Sequence, residues 1–161
     1  MRRRPAQALQ KNRDDDGRAP WHDRLTDPFI LLRHGGLAER LAELPSRPRR
    51  VVLHEPCTQR NTLNAGGVVR DLLCAIPGLE LTVVRGHGCC GAAGSHMLTQ
   101  PEAARSLVNA LLDEVPDLHQ IDTLVSANIG CAWHLRGALF DRNTDVEVVH
   151  PATFLARCFA A

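Results

Sequence analysis

Three features of the sequence predict an α/β fold: a three-layer arrangement with a mostly parallel sheet of about four strands and helices on both faces. Short apolar runs alternate with longer segments whose apolar residues recur at helical spacing. The first of these runs, Val51-Val52-Leu53, is continuously apolar, the pattern of a parallel strand covered on both sides. At 161 residues the chain has the length of one domain with a core of ordinary size.

Residues 1–27 are basic, then acidic at Asp14-Asp15-Asp16, with hardly an apolar side chain before Trp21. Such a segment buries too little surface to offset its ordering, so a disordered or loosely attached arm is expected, followed by a single domain over 28–161. Phe29-Ile30-Leu31-Leu32 starts the apolar pattern, and Leu37, Leu41 and Leu44 predict a short helix ending before Pro45. Val51–His54 reads as strand one. Val68, Val69, Leu72, Leu73 and Ile76 share one face of a helix predicted over 63–76, which Pro77-Gly78 ends. Leu79–Val84 is strand two.

Thr99 with Glu102 three residues on, and Pro101 between them, predicts a capping box opening the next helix. Ile121–Ala127 is strand three, and a helix through about Leu139 follows. Val146–Val149 is strand four, and Pro151–Phe159 a closing helix.

Hydrophobic residues make up 44% and charged residues 23% of the chain, as in a globular protein, and a formal net charge of +1 gives no basis for a dedicated nucleic-acid or membrane-surface role. No apolar run reaches the roughly 18 residues of a membrane span. Met1-Arg2-Arg3-Arg4 is followed by no apolar stretch, so a cytoplasmic protein is expected. Six clustered cysteines suit metal binding or redox work better than a disulfide scaffold.

Gly86-His87-Gly88-Cys89-Cys90-Gly91-Ala92-Ala93-Gly94 is the most distinctive stretch. Adjacent cysteines do not readily bond each other, but they bring two sulfurs into one small space, and glycine lets the backbone turn tightly around them. The alternative is a turn-rich connection with two buried thiols. Cys57 follows strand one, Cys89 and Cys90 follow strand two, and Cys131 follows strand three. Parallel strands align their carboxyl ends on one edge, where ligands of open α/β sheets bind, so Cys57, Cys89, Cys90 and Cys131 are predicted to form one metal site.

Four thiolates suit tetrahedral zinc or an iron–sulfur cluster. Structural zinc favours paired C-x-x-C knuckles, which are missing here. Single cysteines from separate loops, with amides of Gly88, Gly91 and Gly94 nearby, favour a cluster over zinc. His54, His87 and His134 are further candidates to line or bind the group, with His96 beside the loop and His150 at the end of strand four. Cys158 belongs to an apolar stripe, Cys74 lies opposite one, and Trp133 either packs over the site or covers a subunit interface. Gly86-x-Gly88 superficially suggests a nucleotide loop, but Cys89-Cys90 takes the spacing such a loop needs.

His54-Glu55-Pro56-Cys57, Cys89-Cys90-Gly91-Ala92-Ala93-Gly94 and Asn128-Ile129-Gly130-Cys131 together resemble the cysteine-rich CCG domain. That domain occurs, usually in two copies, in heterodisulfide reductase and in iron–sulfur subunits of glycolate and lactate oxidation systems. The spacing is similar too, with 31 residues between Cys57 and Cys89 and 40 between Cys90 and Cys131. The resemblance runs from about Phe29 to the C-terminus and implies a [4Fe-4S]-type cluster in a non-catalytic electron-transfer component of an oxidoreductase. It also implies a partner, either a flavin-dependent dehydrogenase subunit or another iron–sulfur protein. The family pattern has a fifth cysteine where this chain has His134, and this chain shows neither the ferredoxin-like part nor the first copy of those relatives. A zinc-stabilised interaction domain and a heterodisulfide- or thiol-handling subunit are the alternative expectations.

Overall fold

The computed structural model describes residues 26–61, 65, 67–85 and 88–160. The expected arm therefore lies outside the described residues except for its last two positions, and His87 lies outside them as well. Asp27 already belongs to the fold. It is buried, and its carboxylate accepts hydrogen bonds from Phe29 N at 2.8 Å and Gln59 Nε2 at 3.0 Å.

Asp27 thereby caps helix α1 (Pro28–His34), with proline in its first turn. Gly36, at φ 81°, separates α1 from α2 (Leu37–Ala42), so the one helix expected here is two. Strand β1 (Arg49–His54) comes next, then a short helix α3 (Cys57–Asn61) that periodicity did not signal. Helix α4 (Val68–Cys74) is shorter than the predicted 63–76 segment, because Gly67 takes φ 89° immediately before it; Leu63 lies outside the described residues. Strand β2 (Leu79–Val84) has the predicted bounds.

After the cysteine loop come α5 (His96–Thr99) and α6 (Pro101–Leu112). The expected capping box at Thr99 does not form. Thr99 instead ends α5, its hydroxyl donating to Ser95 O at 3.2 Å, and α6 starts at Pro101 without a side-chain cap. Strand β3 (Thr123–Ser126) is shorter than predicted, since a 3-10 turn (Leu118–Gln120) precedes it and Asn128 caps the next helix. Helix α7 (Ile129–Asp141), strand β4 (Glu147–Val149) and helix α8 (Pro151–Ala160) complete the order.

The four strands form one parallel sheet in the order β2-β1-β3-β4, the α/β architecture expected. Helices cover both faces. Alternate β1 residues divide between two cores: Val52 faces a core that includes Val108, Leu111 and Leu135, while Val51 and Leu53 face one that includes Leu41, Leu72 and Phe154. The chain leaves β1 for β2 at one side, then crosses back to β3 at the other. The carboxyl ends of β1 and β3 therefore flank the topological switch point, where a parallel sheet opens a crevice.

Candidate metal centre

Strand alternation selects the side chains that enter that crevice. His54 shares a face of β1 with Val52, and Ser126 shares the same face of β3 with Leu124. The two residues are register partners, and His54 Nδ1 lies 3.0 Å from Ser126 Oγ, both residues being buried. Burial, reinforced by the positive charge of Arg60, lowers the His54 pKa to about 4, so the ring is neutral near pH 7.

Helix α7 delivers Cys131 in its first turn. Asn128 fixes that turn by accepting the Cys131 N–H at 3.1 Å, and the side chain points inward with Leu135 and Leu139. The loop after β2 delivers Cys90 from the opposite side. Gly91 sits at φ 86°, and a Cβ there would lie 2.6 Å from the carbonyl oxygen of Ala104. Only glycine lets the loop lie this close to α6. Gly88 and Gly94 are also at positive φ but have open space around them.

Cys90 and Cys131 thus meet with Sγ atoms 2.8 Å apart, and all six cysteines of the chain are free. One His54 ring nitrogen and these two sulfurs lie within 4.8 Å of one another. The pair holds its protons as a unit. A hydrogen bond from Cys131, helped against burial by the Ala92 amide, brings Cys90 down to about 7. The same hydrogen bond, then burial and the neighbouring thiolates, pushes Cys131 far up.

Cys89 and Cys57, both half-buried, stand at the rim of this pair. The Gly91 amide donates to Cys89 Sγ at 3.3 Å. Burial raises the Cys89 pKa against that amide, and the negative charges of Cys90 and Cys57 add to the rise. Each of the four cysteines is thus near enough to others of the set to affect their ionisation. Arg60 brings a cation to this edge and donates to Gly88 O at 2.9 Å. Glu55 Oε1 and Arg60 Nε, on residues flanking Cys57, are buried without a hydrogen-bond partner among the described residues.

The histidines separate. His54 joins the sulfurs. His134 Nε2 instead donates to Ala104 O at 3.1 Å, which takes that nitrogen to α6. His96 Nδ1 donates to Gly91 O at 3.0 Å and braces the loop. His150 is exposed; its Nδ1 accepts from Ala152 N at 3.3 Å and its ring lies 5.9 Å from that of Phe29. Cys74 is exposed, and Cys158 is half-buried against the second core. Sequence reasoning missed Ser126 and Arg60. Ser126 left one signal, a polar residue closing an apolar strand, but its pairing with His54 needed the register.

The chemistry of this donor set fits a thiophilic metal or cluster: four thiols at one edge, amides directed at sulfur and a nearby cation. Residues 51–136 match the profile of the cysteine-rich domain family CCG. The chain is similar to the glycolate oxidase iron-sulfur subunit of Escherichia coli, 38% identical over 118 residues, which are 70% of this chain and 26% of that protein. It is also similar to lactate utilization protein A of Bacillus velezensis, 28% identical over 108 residues, covering 66% of this chain and 45% of that protein. A third relative is a subunit of the fumarate reductase (CoM/CoB) of Methanothermobacter marburgensis, 31% identical over 121 residues, covering 71% of this chain and 24% of that protein. The chain spans from about a quarter to just under half of the length of these relatives. No solved structure matches it.

Proposed function

The chain belongs to the CCG cysteine-rich domain family, and on that premise we propose that it is an iron–sulfur electron-transfer component of an oxidoreductase. The proposed ligands are Cys57, Cys89, Cys90 and Cys131, and the proposed group is a [4Fe-4S]-type cluster. The observation that carries this reading is the meeting of the buried Cys90 and Cys131 at the switch point, with Cys89 and Cys57 at the rim. When bound, the cluster supplies reversible one-electron chemistry. The chain's own residues hold and tune it. The Gly91 amide donates to Cys89 sulfur and disperses its negative charge. Arg60 holds the loop before Cys89 by donating to Gly88 O, and neutral His54, fixed by Ser126, presents a polar ring without adding charge. The core below the pair excludes water from Cys90 and Cys131.

The names of the relatives support organic-acid oxidation of the glycolate or lactate type as the setting. The partner is then a flavin-dependent dehydrogenase subunit or another iron–sulfur protein. The proposed compartment is the cytoplasm, with any membrane attachment made through a partner. Among the described residues no helix is long and apolar enough to cross a membrane.

Zinc is the second reading, favoured by the His54, Cys90 and Cys131 trio, a donor set that zinc also accepts. Anaerobic purification with iron, sulfide and zinc analysis, joined to visible absorption and electron paramagnetic resonance, separates the two. The expected result is about four iron and four sulfide per chain, lost in Cys89→Ser. Stoichiometric zinc without iron, in protein from iron-replete cells, would overturn the electron-transfer reading.

A further inference from the structure

Helix α7 is apolar on both sides. Its inner face carries Cys131, Leu135 and Leu139 into the core. Its outer face exposes Ile129 (82%), Trp133 (72%) and Phe140 (79%), and Leu98 of α5 (78%) extends the same patch. Alongside runs a groove of about 730 Å³ lined by Leu98, Trp133, Gly137 and Phe140 among others. An aromatic ridge beside an apolar groove, on a helix face with no partner among the described residues, marks an interaction surface.

The order of residues on that face identifies its occupant. At 3.6 residues per turn, Ile129, Gly130, Trp133, Gly137 and Phe140 fall within about 100° of arc. Trp133 and Gly137 stand two residues either side of Leu135, and Gly130 and Phe140 stand five either side. A two-fold axis passing the helix at Leu135 therefore sets each aromatic ring of one α7 against a glycine of an antiparallel α7. Among the described residues nothing lies within 4 Å of a Cβ placed on Gly137, so that notch is open to receive a ring. Protrusion and recess on one patch, exchanged by a single axis, are the requirements of an isologous interface. Charge agrees, because the same axis brings exposed Asp141, at the C-terminal end of one helix, beside the N-terminal turn of the other, the positive end of its dipole. Ile129, Trp133, Phe140 and Leu98 alone offer roughly 600 Å² per protomer, or about 1,200 Å² in a pair, the lower bound of a stable interface.

We propose that the chain forms a two-fold dimer through antiparallel α7 helices, each Trp133 seated in the Gly137 notch of the other copy. The proposed contact involves no metal, so the test reads mass and not redox activity. Sedimentation of the full chain is expected to give twice the chain mass. Trp133→Glu and Phe140→Glu are each expected to give the single-chain mass, with unchanged far-ultraviolet circular dichroism because both side chains face solvent. Gly137→Leu, which fills the notch, is expected to weaken association at least tenfold. A single-chain mass for the unmutated protein up to ~100 µM would overturn the proposal. A two-chain mass that persists in the Trp133→Glu/Phe140→Glu double variant would overturn it as well.

Discussion

The two cores flanking the sheet are built from the same aliphatic residues, yet only one of them runs into sulfur. On one side Leu41, Leu72, Leu73 and Phe154 close around Val51 and Leu53, and its single cysteine, Cys158, stays half-buried at the margin. On the other, Leu111, Leu124 and Leu135 lead directly to Cys90 and Cys131, which are as buried as their aliphatic neighbours. The difference lies in how each core is closed at the carboxyl edge. The first core is sealed by side chains of helices. The second is sealed by a glycine loop, which places polarizable, ionisable groups where further leucines would serve stability alone. The sulfur-bearing core is therefore expected to depend on the group its thiols hold, and the aliphatic core is not.

Five substitutions and one titration, with its own control variant, test that contrast, from the largest effect to the smallest. Cys131→Ser is expected to reduce bound metal to a small fraction of the unmutated level, read by metal analysis of folded protein. Retention of full metal would remove Cys131 from the site. Gly91→Ala is expected to destabilise by about 4 kcal/mol in urea titration, combining positive-φ strain with contact against the Ala104 backbone. Gly88→Ala, at similar φ in open space, is the control and should cost about 1 kcal/mol. Equal effects at the two glycines would mean that close approach to α6 does not matter.

Leu72→Ala, in the aliphatic core, is expected to cost about 3 kcal/mol while metal per folded chain stays unchanged. Loss of metal in that variant would show that the cores are not independent. The metal-free chain is expected to lose roughly 2 to 3 kcal/mol of stability between pH 7.5 and 4.5 from His54. The folded ring, with its pKa lowered to about 4, resists a proton that the unfolded chain accepts near 6.5. This contribution is complete above the ordinary histidine value and is lost as pH falls toward 4. His54→Gln should flatten the dependence in urea midpoints, and an unchanged slope would assign it to other groups. Cys74→Ser, at an exposed position outside both cores, should change stability by no more than about 0.5 kcal/mol and leave metal content alone.

Much of this was legible in the sequence, for reasons local to the chain. The strand-like stretch 79–84, rich in Leu and Val, and the Pro-Gly stop before it depend on short-range chemistry, and β2 has the predicted bounds. The four cysteines were legible as a set because parallel strands carry every following loop to one edge, whatever the details of packing. Where a nearby glycine or hydroxyl competes with periodicity, the sequence was ambiguous. Gly67 shortened α4, and Thr99 used its hydroxyl to end one helix instead of starting the next.

Taken by itself, then, the sequence determined the α/β class, the succession of strands along the chain and which cysteines share an edge. Only the tertiary structure decided between His54 and His134. His54 and His134 are equally plausible by spacing, but register puts His54 against Ser126 with its ring near the sulfurs, while the α6–α7 packing turns His134 Nε2 to the Ala104 carbonyl. It also decided that Trp133 faces solvent, because an apolar helix carries no mark of which face the sheet will take until the sheet is there.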